Sequence, residues 1–260
     1  RWEFRYLRNL FYGRDKSVHL QYVLLNPDEI KEQSPLAPVF ASATRKFGEA
    51  EATRLPEKFD EWMKFDVIIL GDVPPAALPA QTWETIEKAV AERGALLVVV
   101  AGPRAMPHAY QSEVVKRLLP LDFAPSTAAA FDGPEDSFAV RLTAEGKNSP
   151  ILALGASQVE TAQIWSETPA FMWRHAVRAA KPGAEVLAYA EPAGQRPPAA
   201  GATAEERLAA FARQRQYEAE RALLTTSRYG LGRIALFTTD QTWRRSEERR
   251  VGKECRSRWS

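Results

Sequence analysis

Two runs of consecutive apolar residues dominate the chain. FDVIILGDV (65–73) and ALLVVVAGP (95–103) are apolar at odd and even positions alike, the pattern of strands buried on both faces. Between them LPAQTWETIEKAVAERG (78–94) predicts a helix, with Gly94 as its stop. YQSEVVKRLLP (110–120) predicts a second helix, ended by Pro120. Buried strands alternating with amphipathic helices imply an α/β fold, with a doubly wound, mostly parallel sheet and helices on both faces.

The flanking segments are less regular. WEFRYLRNLF (2–11) has helical spacing, VHLQYVLLN (18–26) reads as a strand, and the polar stretch 27–54 reads as loop. LPEKFDEWM (55–63) is a short helix. FAVRLTAEG (138–146) and AEVLAYAE (184–191) read as strands, and 160–177 has aromatics without a clear period. AGQRPPAAGA (193–202) is a linker by composition. TAEERLAAFARQRQYEAERA (203–222) is a charged helix with a narrow apolar stripe, expected as an exposed helical insertion. LLTTSRYGLGRIALFTTD (223–240) predicts an antiparallel C-terminal hairpin turning at Gly230-Leu231-Gly232. A doubly wound sheet opens with a strand feeding its first helix, so a strand is expected to be missing ahead of Arg1. Residues 1–244 are read as one domain, truncated at both ends.

Composition changes this picture in one place. At 45% hydrophobic and 26% charged the chain is ordinary for a globular protein, and no apolar run is long enough to span a bilayer. The net charge of +2 comes from the last sixteen residues, RSEERRVGKECRSRWS, whose six basic and three acidic residues leave the remainder mildly acidic. A basic tail normally points to nucleic acid. This string instead resembles the in-frame translation of a sequencing adapter, so 245–260 is read as a non-native tail and no nucleic-acid partner is expected. The tail holds the only cysteine, Cys255. The remainder therefore has no disulfide, Cys-based metal site or thiol nucleophile.

In open α/β sheets ligands sit at the carboxyl ends of the strands. Three such ends present candidates: Asp72 after VIILG; Gly102, Arg104, His108 and Tyr110 after LLVVVA; Asp240 and Trp243 after IALFTT. Arg104 suits a carboxylate or phosphate, and His108 suits proton transfer. The bland alternative pairs Arg104 with Asp72 or Asp240 to fix the loop, with His108 a packed loop residue. His19, His108 and His175 show no metal-ligand spacing, and no cofactor motif is present. Gly230-x-Gly232 leads into a strand, which makes it a turn and not a dinucleotide loop. The acidic loop FDGPEDSF (131–138) lacks a calcium-loop pattern.

FDVIILGD, LLVVVAGPRAMPHAY and SRYGLGRIALFTTDQTW together resemble a class I glutamine amidotransferase-like domain, a flavodoxin-like architecture. The resemblance runs over most of 1–244. More narrowly it is to uncharacterised bacterial domains in membrane-anchored proteins, some with von Willebrand factor A modules. It implies a preceding strand ending in Glu-Gly and further aromatic and basic residues beyond DQTW. It also implies a nucleophilic cysteine on the sharp turn after a central strand. The matching turn here is Ala101-Gly102-Pro103-Arg104, with neither cysteine nor serine, and no His-x-Glu pair follows downstream. Glutaminase chemistry needs that nucleophile for its acyl intermediate. The expectation is a non-catalytic domain for ligand binding or assembly in a bacterial membrane-associated protein, its membrane link lying in missing flanking segments. The alternative is a hydrolase-type enzyme using Asp72, His108 and Asp240.

Overall fold

The computed structural model describes residues 7, 10–11, 15, 17–24, 39–43, 55–56, 58–123, 137–192 and 203–243. These fall into two compact units, one up to Trp62 and one from Met63 onward. The first holds an antiparallel pair, β1 (Leu20–Leu24) and β2 (Val39–Ala43), and a short helix α1 (Phe59–Trp62). β2 lies inside the stretch read as loop. Its five residues, VFASA, are flanked by polar and proline-containing sequence, and only pairing with β1 identifies them as a strand. The predicted 2–11 helix, the 131–138 loop, the 193–202 linker and the 245–260 tail lie wholly or largely outside the described residues.

The second unit is built on a six-stranded sheet of order β3-β4-β10-β9-β8-β6. Its strands are β3 (Val67–Leu70), β4 (Leu96–Val100), β6 (Phe138–Leu142), β8 (Ala184–Pro192), β9 (Ala222–Tyr229) and β10 (Gly232–Phe237). β3, β4 and β10 run parallel, whereas β10–β9, β9–β8 and β8–β6 are antiparallel. The sheet is thus mixed and mostly antiparallel, and the expected parallel character is confined to three strands. Sequence pattern distinguishes buried strands from half-buried ones, but not the direction in which a later strand enters the sheet. A separate pair, β5 (Leu121–Phe123) with β7 (Val177–Ala180), is also antiparallel.

Period-two alternation gives the sheet two cores. On one face Leu97 and Val99 of β4 lie in register with Ile234 and Leu236 of β10, and all four are fully buried. Helix α2 (Ala80–Ala91) packs on β10 and on α3 (Glu113–Leu118), burying Trp83, Ile86, Ala89 and Val90. On the other face Phe138, Val140, Leu152, Trp165, Leu187 and Leu223 form a cluster that Leu96, Val98 and Phe237 complete. That face is covered by α4 (Ala144–Asn148), the turn Pro150–Leu152 and α5 (Gln158–Ser166). The predicted strand 138–146 therefore stops at Leu142. Thr143 caps α4 by accepting the Gly146 N–H at 3.0 Å, and its hydroxyl donates to the Val186 carbonyl at 2.7 Å. β3 is an edge strand with Ile68 and Leu70 buried but Val67 and Ile69 48% and 42% exposed, so it is covered on one face where the sequence suggested two.

Charged helix α6 (Ala204–Glu220) opens on a capping box: Thr203 Oγ1 accepts the Glu206 N–H, and Glu206 accepts the Thr203 N–H. It packs on β7 and β8 and leads into β9, burying Ala210 and Glu218 while Leu208 and Phe211 stay exposed. The hairpin forms as predicted. Gly230 turns with φ +58°, and a Cβ there would lie 2.4 Å from the Ala91 carbonyl oxygen, so only glycine fits. Leu231 N–H donates to that oxygen at 2.8 Å, satisfying a carbonyl at the end of α2.

Candidate functional site

The three parallel strands end side by side: β3 at Leu70, β4 at Val100 and β10 at Phe237. Asp72, two residues past β3, organises this end. Its side chain is fully buried (0% exposed). One carboxylate oxygen accepts the N–H groups of Ala105 and Met106 at 2.6 and 2.7 Å; the other accepts the Arg104 N–H at 2.9 Å. The Arg104 guanidinium approaches the latter oxygen at 3.7 Å. Three backbone donors and a nearby cation are what a buried carboxylate requires to remain charged. The sharp turn depends on Gly102, where a Cβ would sit 2.4 Å from the Asp72 Cβ and Cγ. Gly102 N–H closes the turn onto the Met106 carbonyl at 2.8 Å.

Tyr110 pins the far end of this loop. Its hydroxyl donates to the Val73 carbonyl at 2.9 Å, and its ring meets Trp83 edge-on with centroids 5.4 Å apart. Burial, with the Asp72 charge adding to it, pushes the phenol up to about 12, so it stays a donor. The Arg104 side chain is 67% exposed and His108 is half-buried. These two carry the loop's polar chemistry to the surface.

A residue missed by sequence reasoning completes the site. His175 lies in the stretch left without a period, 67 positions from His108, yet its Nε2 sits 3.4 Å from His108 Nδ1. The ring planes are within 24° of parallel with centroids 5.5 Å apart, too far for face-to-face contact and suited to rings meeting at their nitrogens. Phe123 packs edge-on against His175, whose backbone N–H donates to the Thr238 carbonyl at 2.6 Å. Burial lowers the His175 pKa, and the neighbouring His108 and Arg174 act in the same direction. Only proximity in the fold reveals this pair, because no spacing rule links a loop after β4 to the segment before β7.

Asp240 follows β10 and is half-buried; Trp243 closes the 3-10 turn Gln241–Trp243. Here the chain is tied to the His175 segment. Thr239 Oγ1 donates to the Trp173 carbonyl at 2.7 Å, and Gln241 Oε1 accepts the Met172 N–H at 2.6 Å. The structure thus gathers Asp72, Gly102, Arg104, His108 and Tyr110 into one hydrogen-bonded unit and joins it through His175 to the end of β10. Among the described residues no group of three or more His, Cys, Asp or Glu side chains is placed to hold a metal ion, and no helix is long and apolar enough to cross a membrane.

No family model matches the chain, and no curated protein matches it. Solved structures do. Cytoplasmic Protein STM3548 from Salmonella typhimurium aligns with a TM-score of 0.50 at 14% identity, over 87% of this chain and 86% of that one. Cytoplasmic Protein STM1381 from Salmonella typhimurium LT2 aligns at 0.45 and 17% identity, over 73% and 67%. Gan42B, a GH42 β-galactosidase from G. stearothermophilus, aligns at 0.37 and 10% identity, over 74–75% of this chain and 22% of its own. The first likeness concerns the fold alone; the other two are too distant to carry an argument.

Proposed function

We propose that the chain is a non-catalytic, amidotransferase-like α/β domain that binds a ligand or partner at its strand ends, within a bacterial membrane-associated protein. The reading takes β3, β4 and β10 as the surviving part of a doubly wound sheet whose other strands have been replaced by antiparallel ones. None of the solved structures described above is named for amidotransfer, so the family assignment rests on the sequence resemblance and on this parallel trio.

One observation carries the binding reading. The Asp72 carboxylate is fully buried and accepts three backbone N–H groups of the turn at which the resemblance would place a nucleophile. A carboxylate so engaged, with its side chain fully buried, shapes a loop. This weighs against the hydrolase alternative, which needs Asp72 as a reacting group. The loop instead presents an exposed guanidinium and a half-buried imidazole, groups that recognise anions.

The test is twofold. The chain is incubated with glutamine while ammonia is measured, and binding of small carboxylates and phosphates is followed by thermal shift in the wild type and in Arg104→Ala. The expected result is no ammonia release, with a ligand-induced shift that Arg104→Ala abolishes. Ammonia release lost in His108→Ala would replace this reading with an enzymatic one.

A further inference from the structure

The contact between the two histidines has a direction, and the backbone sets it. The Ala176 carbonyl lies 3.2 Å from His175 Nδ1. A carbonyl only accepts, so His175 Nδ1 carries a hydrogen. His175 is buried in surroundings that favour its neutral form, and a neutral imidazole carries one hydrogen, leaving Nε2 a bare acceptor. The groups around it do not alter this. Phe123 offers a ring, Thr238 a carbonyl already taken by the His175 N–H, and Arg174 a guanidinium directed at the His175 and Glu220 carbonyls. Asp72 is the one carboxylate whose charge reaches the ring, and its oxygens accept the three loop amides. His108 Nδ1 must therefore donate to His175 Nε2 across their 3.4 Å separation.

The consequence falls on the other His108 nitrogen. With the hydrogen on Nδ1, Nε2 holds a lone pair. Among the described residues nothing is hydrogen-bonded to that nitrogen, and it is not one of the buried polar atoms left without a partner, so it reaches solvent. Arg104, on the same loop, supplies an exposed fixed positive charge. The order of hydrogens, from the Ala176 carbonyl through His175 to His108, presents an acceptor on a loop that also carries a cation. Such a pair recognises an oxyacid: the cation meets the anionic oxygens and the acceptor shares the acid's remaining proton.

Building on the binding reading above, we propose that the strand-end site takes an oxyacid of the phosphate-monoester or carboxylic-acid class, with His108 Nε2 contacting the ligand and His175 as its positioning residue. No covalent bond forms or breaks. An oxyanion binds together with one proton, which lies between ligand oxygen and Nε2, and the charge that builds on His108 is stabilised by its Nδ1–H bond to His175.

The test uses the full chain, with inorganic phosphate and acetate as separate probes. Titration calorimetry at pH 8 in two buffers of different ionisation enthalpy reads the protons taken up on binding. The expected result is net uptake in the wild type, lost in His108→Ala. His175→Leu is expected to weaken binding by about tenfold, the usual scale for losing an orienting partner. His175→Gln is expected to restore much of it, since its amide oxygen can accept from His108 Nδ1. Imidazole nitrogen NMR of the unliganded chain reads the tautomers directly, and Nδ1–H on both rings is expected. A response to only one of the two probes separates phosphate-type from carboxylate-type ligands. Nε2–H on His108, binding without proton uptake, or binding unaltered by His108→Ala would overturn the inference while leaving the binding reading intact. Absence of binding by either probe at millimolar concentration would reject the ligand class, and an Arg104-dependent ligand of other chemistry would then preserve only the broader reading.

Discussion

At the parallel side of the sheet, β3, β4 and β10 end in loops that one buried carboxylate and two histidines hold together. At the antiparallel side, β9, β8 and β6 lie on a cluster of aromatic and aliphatic side chains whose polar contacts are caps, the Trp165 indole bond to the Leu152 carbonyl and a few surface ion pairs. The first side is specified by a small number of directional bonds between residues distant in sequence. The second is specified by volume. Loss of a directional bond leaves a buried donor without an acceptor, whereas loss of volume leaves a cavity, and the two defects spread differently.

The comparison is broken most severely from the antiparallel side. Trp165→Ala removes a buried indole whose N–H donates to the Leu152 carbonyl at 2.9 Å, and is expected to cost about 4 kcal/mol in chemical denaturation. Its effect should be global, lowering amide protection throughout the sheet in proportion. Asp72→Ala follows, at about 3 kcal/mol, because three buried amides lose their acceptor. Hydrogen exchange is expected to show this loss concentrated at Arg104, Ala105 and Met106. A uniform loss would erase the contrast between the two sides. Gly102→Ala forces a methyl group into contact with Asp72 and is expected to cost about 2 kcal/mol with the same local signature.

A pH series sharpens the picture further. Burial lowers the His175 pKa in the folded state, so at acid pH the unfolded chain binds the proton more readily than the native one. Its contribution to stability is complete above the unfolded value of roughly 6.5 and is lost as pH falls below that. The wild type should therefore lose melting temperature between pH 7 and pH 5 more steeply than His175→Gln. Smallest of all is Arg215→Ala. Arg215 holds the Glu145 pKa down to about 2, but the pair is partly exposed, and solvent screening limits its worth to about 0.5–1 kcal/mol. A larger loss on the denaturation curve would show that α6 is held to α4 by more than a screened pair.

Much of the parallel side was legible in the sequence, because continuous apolar runs and glycine stops are local signals. β3, α2 and β4 fall inside their predicted ranges, the hairpin starts one residue early at Ala222, and Gly94 follows α2 with φ +87°. Asp72, Gly102, Arg104, His108 and Tyr110 were named as neighbours from strand ends alone, and the structure does bring them together. What escaped was non-local. The direction of β6 and β8 depends on how the helices between the strands return the chain to the sheet. β2 has too few residues for a period. His175 had no motif, since its partner is supplied by a loop that precedes it by three helices and two strands. The role of Asp72 also escaped: a carboxylate at a strand end suggests reactivity, and only its three amide partners reveal that it is engaged.

The position of β10 bears on how the chain reaches this structure. It lies between β4 and β9 near the middle of the sheet, yet it is the last described strand to leave the ribosome. Until it emerges, β4 lacks its neighbour on the inner side, and α2 lacks the hairpin amide that bonds the Ala91 carbonyl. Assembly of the site must therefore wait for synthesis of nearly the whole described chain, and a nascent protein stalled before Gly232 would offer an adhesive strand edge to chaperones or to its own kind.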